Sequence, residues 1–295
     1  MRSRCDVRYF KLTTPIPTFP LQGGRSDSAA LGGPWFIGAF EALTTKAPGI
    51  VGGYLLLKET MYPVVLKQVG KIYHLDAVDV PALVDINLEI RANCFTVISG
   101  PSGSGKTTLL NLIGCIDRAD HGEVWVAGKA VQKMSDDALS DFRASHLGFI
   151  FQNFNLLPVL SAYENVEYPL LLTKVPPAQR KARVLALLDA VGLSDRAQNR
   201  PGQLSGGQRQ RVAIARALAT EPKLVLADEP TANLDSQTGA AIIALMRKMQ
   251  REHHVSFVFS SHDPQVQAEA DDAIFIRDGR ITGIERRTEN VEAAV

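Results

Sequence analysis

The chain has 295 residues, with 32 Lys and Arg against 31 Asp and Glu, so its formal net charge is +1. This balance, without a dense basic block, argues against a nucleic-acid-binding surface. Cys5, Cys94 and Cys115 lie far apart and lack metal-ligand spacing. We therefore expect buried thiols rather than a metal or disulfide site.

Residues 1–60 differ in composition from the rest, being rich in Pro, Gly, Ser and Thr, and they precede a second methionine, Met61. We predict a disordered leader, or an artefact of an upstream start codon. The apolar region 29–57 is interrupted by two prolines and by Glu41 and Lys46. Its apolar runs are shorter than the ~18 residues of a membrane span, so any work at a membrane is expected to need a partner.

Beyond residue 60, strand and helix patterns alternate along the chain. The apolar run 64–69 is predicted as the first strand, and 95–98 as a short buried strand of β-forming residues. A stripe of leucines predicts a helix over 106–115. Residues 122–128 alternate between glycines, which is typical of a half-exposed antiparallel strand.

The second half of the chain continues this alternation. It predicts an α/β fold with a mostly parallel core sheet, helices on both faces, an antiparallel β subdomain and a helical insert at about 154–201. The further predicted strands are 147–151, 224–227, 255–260 and 273–276, and the further predicted helices are 162–191 (interrupted by prolines), 209–219 and 237–251.

A glycine-rich loop follows the predicted strand 95–98 and fits the pattern G-x-x-x-x-G-K-[ST]. Its glycines let backbone N–H groups converge on phosphate oxygens, and the following helix points its positive dipole end at the same anion. Lys106 would neutralise the β- and γ-phosphates, and the Thr107 hydroxyl would coordinate Mg²⁺. The predicted ATP-binding residues here are Gly100, Pro101, Ser102, Gly103, Ser104, Gly105, Lys106, Thr107 and Thr108.

Two carboxylates, Asp228 and Glu229, end the apolar strand 224–227. By itself such a pair is usually a solvated strand end. In a chain that also carries a phosphate loop, we predict that Asp228 holds the Mg²⁺ shell and that Glu229 is the general base for an attacking water.

A third motif, 204–208, reads Leu-Ser-Gly-Gly-Gln and opens a helix, which makes it a second N-terminal anion site. These motifs, in this order over about 61–280, resemble the ATP-binding-cassette (ABC) ATPases. The resemblance implies a P-loop NTPase cassette at 61–295 and a homodimer that sandwiches two ATP molecules. The signature residues, which would contact the γ-phosphate of the opposite chain, are Leu204, Ser205, Gly206, Gly207 and Gln208.

The resemblance assigns roles to four further residues. Gln152 would reach the metal and the attacking water, and His262 would contact the γ-phosphate. Tyr73 would stack on adenine, an interaction worth about 1–3 kcal/mol. Asp235 would lie in a loop that crosses the dimer interface.

The stretches 100–117, 147–158 and 163–166 look most like the branch that serves lipoprotein release and macrolide export (LolD/MacB-type). That branch pairs with a membrane permease that has a large extracytoplasmic domain. The resemblance therefore places the chain at the cytoplasmic face of the inner (plasma) membrane, peripheral through its permease. Leu156 and Leu157 are predicted permease contacts. The transported substrate would be determined by the permease.

Three alternatives come from other classes. One is a cell-division ABC ATPase that regulates wall hydrolases through a permease-like partner. A second is an ABC protein of translation or repair, which the absence of a second cassette and of nucleic-acid elements disfavours. A third is a scaffold without turnover, which Glu229 and His262 disfavour.

Overall fold

The fold is taken from a computed structural model that describes residues 61–75 and 78–287, and the predicted leader at 1–60 lies outside the described residues. The strands are β1 (Val64–Leu75), β2 (Val78–Ile90), β3 (Phe95–Ser99), β4 (His121–Val126), β5 (Lys129–Ala130), β6 (Leu147–Ile150), β7 (Leu224–Asp228), β8 (Ser256–Ser260), β9 (Asp272–Arg277) and β10 (Arg280–Arg286). The helices are α1 (Lys106–Ile113), α2 (Asp136–His146), α3 (Ala162–Leu172), α4 (Pro177–Ala190), α5 (Gly206–Leu218), α6 (Ser236–His253) and α7 (Pro264–Ala268).

The core sheet has six strands in the order β10-β9-β3-β8-β7-β6. All are parallel except β10, which pairs antiparallel with β9. Every residue of β3 and β8 is buried, as expected for parallel strands that are covered on both faces. Since the carboxyl ends of parallel strands share one edge, the loops after β3, β7 and β8 meet there.

The antiparallel sheet has four strands in the order β2-β1-β4-β5. The β1–β2 register shifts between Leu66 and Val69, and Gln68 there has a positive φ of 50°. These irregularities have the character of β-bulges, which increase the local twist of a strand. This sheet confirms the predicted antiparallel β subdomain.

Two buried apolar clusters lie on opposite faces of the core sheet. Side chains alternate along a strand, so Val225 packs into one cluster and Leu226 into the other. The cluster around Val225 includes helices α3 to α6, and the cluster around Leu226 includes α1, α2 and the antiparallel sheet. The core is therefore built from both faces, as the sequence predicted.

The predicted helical insert consists of two helices. The segment 162–191 is not continuous: α3 ends at Leu172, and α4 begins at Pro177. Proline has no N–H to donate but suits the first turn of a helix. Ser161 and Glu164 form a capping box that begins α3.

Five elements were not predicted, namely β2, β5, α2, α7 and β10. Two of them bury few apolar residues and so give a weak sequence pattern. Helix α2 buries only Leu139 and Phe142, and most of β10 is exposed. Among the helices of the described residues, none has both the length and the apolar character needed to cross a membrane.

A partly buried ion pair joins α6 to the starts of β3 and β9. Arg247 donates two hydrogen bonds to the carboxylate of Asp271, which also accepts the Phe95 N–H at the start of β3 at 2.7 Å. Burial alone would raise the pKa of Asp271. The bonds from Arg247 and Phe95 together outweigh burial and hold that pKa below its usual value.

We expect Asp271→Asn to lower the free energy of unfolding by about 1.5–3 kcal/mol at pH 7, the usual contribution of hydrogen bonds to a charged group. A depressed pKa stabilises the fold above the unfolded value of about 3.9, and the contribution is lost as the pH falls through the folded pKa. The difference from wild type should therefore shrink below about pH 4. Urea unfolding at several pH values measures both effects.

The matched control is Asp195→Asn, which breaks the exposed pair with Arg196. Exposed pairs contribute little, so this variant should unfold like the wild type. Equal losses in the two variants would contradict a special role for Asp271.

Candidate active site

The predicted site residues gather at the carboxyl edge of the core sheet. The loop 100–105 follows β3. Asp228 ends β7 and Glu229 follows it, while Ser260 ends β8 and Ser261 and His262 follow it. In the register of β7 and β8, Asp228 lies opposite Ser260. Tertiary structure thus brings together motifs that are more than 100 residues apart in the chain.

The phosphate loop is packed too closely for side chains at two of its glycines. Gly105 has a left-handed φ of 104°, and a Cβ there would lie 2.7 Å from the carbonyl oxygen of Ala82. A Cβ on Gly100 would lie 2.1 Å from the carbonyl oxygen of Ile276. Gly105 precedes α1 without a side-chain cap, so the first amides of that helix remain open to an anion.

The cation of this loop is buried. Lys106 Nζ donates to the carbonyl oxygens of Gly100 at 2.8 Å and Pro101 at 2.9 Å. The hydroxyl of Ser104 is buried, and within the described structure it has no hydrogen-bond partner. The unpartnered Ser104 hydroxyl, the uncapped amides at the start of α1 and the Lys106 ammonium group together fit a phosphate ligand.

The oxygens of Thr107 and Asp228 converge. Thr107 Oγ1 donates to Asp228 Oδ2 at 3.1 Å, and Ser260 Oγ donates to Asp228 Oδ1 at 2.6 Å. Hydroxyl and carboxylate oxygens are the ligands that Mg²⁺ prefers. The residues present therefore fit that ion.

Glu229 and His262 lie side by side. Glu229 Oε1 is 3.5 Å from His262 Nδ1, and both residues line a cleft of about 100 Å³. The backbone of Glu229 has a left-handed φ of 43°, which is uncommon outside glycine and concentrates at functional sites. Its N–H donates to Ser260 Oγ at 3.0 Å.

Ser260 is a site residue that the sequence analysis missed. Its hydroxyl donates to Asp228 and accepts from the Glu229 amide, so one side chain fixes both carboxylate residues. The available signal was a serine at the end of a buried strand, directly before Ser261 and His262.

Gln152 is exposed and lies just before the helical insert. Its carbonyl oxygen accepts from Asn233 Nδ2 at 3.0 Å. The structure thus ties the backbone of Gln152 to the loop after Glu229, and the predicted role of its side chain at the metal stays a prediction.

Tyr73 lies on β1 and is tied to Asp117, in the segment that follows α1. Its hydroxyl donates to Asp117 Oδ2 at 3.1 Å, and Lys71 Nζ donates to Asp117 Oδ1 at 2.8 Å. The ammonium of Lys71 lies 5.3 Å from the Tyr73 ring centroid. Burial is the main cause that raises the pKa of Tyr73. The ring is therefore held in place, and its predicted contact with adenine stays a prediction.

The signature segment 204–208 begins α5. Ser205 and Gln208 form a capping box, in which Ser205 N–H donates to Gln208 Oε1 at 2.9 Å. A Cβ on Gly207 would lie 2.7 Å from Thr238 Cγ2 of α6, so a close helix contact requires glycine there. No hydrogen bond in the described structure joins this segment to the phosphate loop of its own chain.

Asp235, the predicted interface residue, caps α6. Its carboxylate accepts the Thr238 N–H at 2.9 Å. The pKa of Asp235 is lowered, first by the hydrogen bond from the Thr238 side chain and then by that from the Thr238 amide. This geometry gives Asp235 a structural role in its own chain and leaves the interface role a prediction.

Comparison with known proteins identifies the family. A family model described as "ABC transporter" matches residues 83–232. An ABC transporter ATP-binding protein of Thermotoga maritima is 50% identical over 222 residues, which are 75% of this chain and 94% of that protein. The macrolide export ATP-binding/permease protein MacB of Burkholderia pseudomallei is 47% identical over 216 residues, 73% of this chain but only 33% of that protein.

A solved structure is similar as well. It is a dimeric structure of a post-hydrolysis state of the ATP-binding cassette MJ0796 bound to ADP and Pi. Its TM-score to this chain is 0.70 at 42% sequence identity, and the match covers 76% of this chain and 99% of the other. Together with the phosphate loop and the paired carboxylates, these similarities show that the chain belongs to the ABC transporter family, as an ATP-binding cassette that hydrolyses ATP.

Proposed function

We propose that this chain is the ATPase subunit of an export-type ABC transporter, with residues 61–295 as the cassette and about 154–201 as its helical subdomain. The observation that carries the proposal is the cluster of Asp228, Glu229 and His262 beside the phosphate loop. MacB, named for macrolide export, supports an export role over the cell-division alternative.

The residues suggest how the reaction proceeds. The open amides of loop 100–108 and the ammonium of Lys106 would bind the phosphates of ATP. Thr107 and Asp228, with Gln152, would hold Mg²⁺, which when bound neutralises charge on the β- and γ-phosphates.

Glu229 would accept a proton from the attacking water, and His262 would face the γ-phosphate. Water oxygen then bonds to the γ-phosphorus as the bond to the bridging oxygen of ADP breaks, which yields ADP and phosphate.

The site is proposed to be completed by a second copy of the chain. The signature segment 204–208 presents a helix N-terminus, suited to an anion, and contacts α6 rather than its own phosphate loop. The dimeric state of the MJ0796 structure supports this arrangement. Two phosphate loops would then each face the partner's signature segment, near the capping loop of Asp235.

A membrane permease with an extracytoplasmic domain is the proposed second partner, which would hold the chain at the cytoplasmic face of the inner membrane. MacB combines ATP-binding and permease in its name. The insert carries several exposed apolar side chains, which we call the insert patch. Large exposed apolar patches mark interaction sites. The insert patch consists of Leu157, Val159, Tyr168, Leu171 and Leu172.

The two leucines predicted as permease contacts differ in burial. Leu157 is 39% exposed, whereas Leu156 is partly buried and packs against the core cluster. The backbone of Leu157 is fixed by Asn165, whose side chain bonds both the N–H and the carbonyl oxygen of Leu157. The docking role therefore falls to Leu157.

We expect Glu229→Gln to keep ATP binding and to lower turnover by about 10²–10⁴, the usual worth of a positioned base. It should also accumulate an ATP-bound dimer. Phosphate release and size-exclusion chromatography measure the two effects. Lys106→Ala should instead weaken nucleotide binding, because the phosphates lose their buried cation. Wild-type turnover in Glu229→Gln would refute the assignment of the base.

Sharing of the sites between chains predicts complementation. A Lys106→Ala chain mixed with a Ser205→Arg chain yields mixed dimers with one doubly damaged site and one intact site. ATPase activity in the mixture should exceed the sum of the separate variants. Activity equal to that sum at every mixing ratio would contradict a shared site.

Docking through the insert patch predicts that Leu157→Ser keeps basal ATPase activity but loses co-purification with the co-expressed permease. Leu156→Ser is the control, because its side chain packs on the core and its change should lower thermal stability instead. Loss of folding in Leu157→Ser, or retained co-purification, would move the docking surface elsewhere.

A further inference from the structure

One buried glutamine that the mechanism above does not use contacts the backbone next to Glu229. Gln210 lies on α5, two residues beyond Gln208 of the capping box, and is 0% exposed. Its Nε2 donates to the carbonyl oxygen of Pro230 at 2.7 Å. Its Oε1 is buried and has no hydrogen-bond partner within the described structure.

An unpaired buried oxygen is costly, at about 1–3 kcal/mol. An apolar side chain of the same length would avoid that cost but would leave the Pro230 carbonyl oxygen without its donor. The single bond that Gln210 donates therefore has a specific target.

That target immediately follows the proposed base. Glu229 has a left-handed φ of 43°, and its N–H is fixed by Ser260 Oγ at 3.0 Å. Pro230, the next residue, is buried and lacks an N–H of its own. Its carbonyl oxygen is the backbone acceptor of the residue next to Glu229, and the Gln210 side chain donates to it. Glu229 is thus secured on one side by Ser260 and on the other by Gln210.

We propose that Gln210 is a positioning residue for hydrolysis: by holding the Pro230 carbonyl, it keeps the strained backbone of Glu229 in the orientation that aims its carboxylate. Because α5 begins with the signature segment, the same helix that would engage the partner's nucleotide also fixes the base of its own site. The inference rests on the proposed role of Glu229.

The chain contains a matched control. Gln250 on α6 is 6% exposed, donates through Nε2 to the carbonyl oxygen of Asn93, and also has a buried Oε1 with no partner in the described structure. Asn93 precedes β3, at the sheet edge opposite the phosphate loop. Gln250 therefore has the same chemistry without a connection to Glu229.

The experiment compares Gln210→Met with Gln250→Met in steady-state ATP hydrolysis and thermal unfolding. Methionine keeps the length of glutamine and removes the donor. We expect Gln210→Met to lower kcat about 10-fold or more, since small displacements of a catalytic group are costly, with KM for ATP changed less than about 2-fold. Gln250→Met should keep kcat, and the two melting temperatures should be similar.

A double mutant separates positioning from a structural role. In a Glu229→Gln background there is no base to aim, so Gln210→Met should cause no further loss of turnover. Losses that multiply, or equal losses in Gln210→Met and Gln250→Met, would overturn the inference.

Gln210→Leu provides a second variant should the methionine variant fold poorly, because it also removes the donor and introduces no group that can donate a hydrogen bond. It should show the same drop in kcat, and unchanged kcat would refute the role of the donor. If Glu229→Gln alone hydrolyses ATP normally, the proposed base fails. If Glu229→Gln is inactive and Gln210→Met is fully active, only the positioning role fails.

Discussion

The site depends on the register between β7 and β8, in which Asp228 lies opposite Ser260. This pairing puts one hydroxyl within 2.6 Å of the Asp228 carboxylate and 3.0 Å of the Glu229 amide. A slip of either strand by one residue would turn its side chains to the other face of the sheet. The two apolar clusters prevent such a slip, because each requires its own half of the alternating side chains.

Helix α5 connects the separate parts of the site. Near its C-terminus, Arg216 donates to the carbonyl oxygens of Phe154 and Asn155, at 2.8 and 2.5 Å. Both of those residues have positive φ, so the turn after Gln152 is strained. Arg216 is buried enough that desolvation lowers its pKa. One helix therefore begins with the signature segment and carries both Gln210, which bonds Pro230, and Arg216, which bonds the turn after Gln152.

The sequence predicted those parts of the site whose chemistry is local. The phosphate loop needs glycines at fixed spacing, so Gly100 and Gly105 were identifiable without a structure. Ser260 was not, because its function arises from the pairing of strands distant in the chain. The same holds for Asp117, whose partners Lys71 and Tyr73 lie on β1. Leu156 is partly buried and Leu157 is exposed because of the way the insert packs. A sequence of two adjacent leucines does not reveal that difference.

The central position of β3 has a consequence for how the protein is made. Its neighbours, β8 and β9, come much later in the chain: Asn93, just before β3, bonds Ser256, 163 residues further on. A ribosome adds about 5–20 residues per second, so this apolar strand emerges roughly 8–30 s before a pairing strand exists. During that time its exposed backbone is open to aggregation. The core sheet can therefore form around β3 only after β8 and β9 have been synthesised.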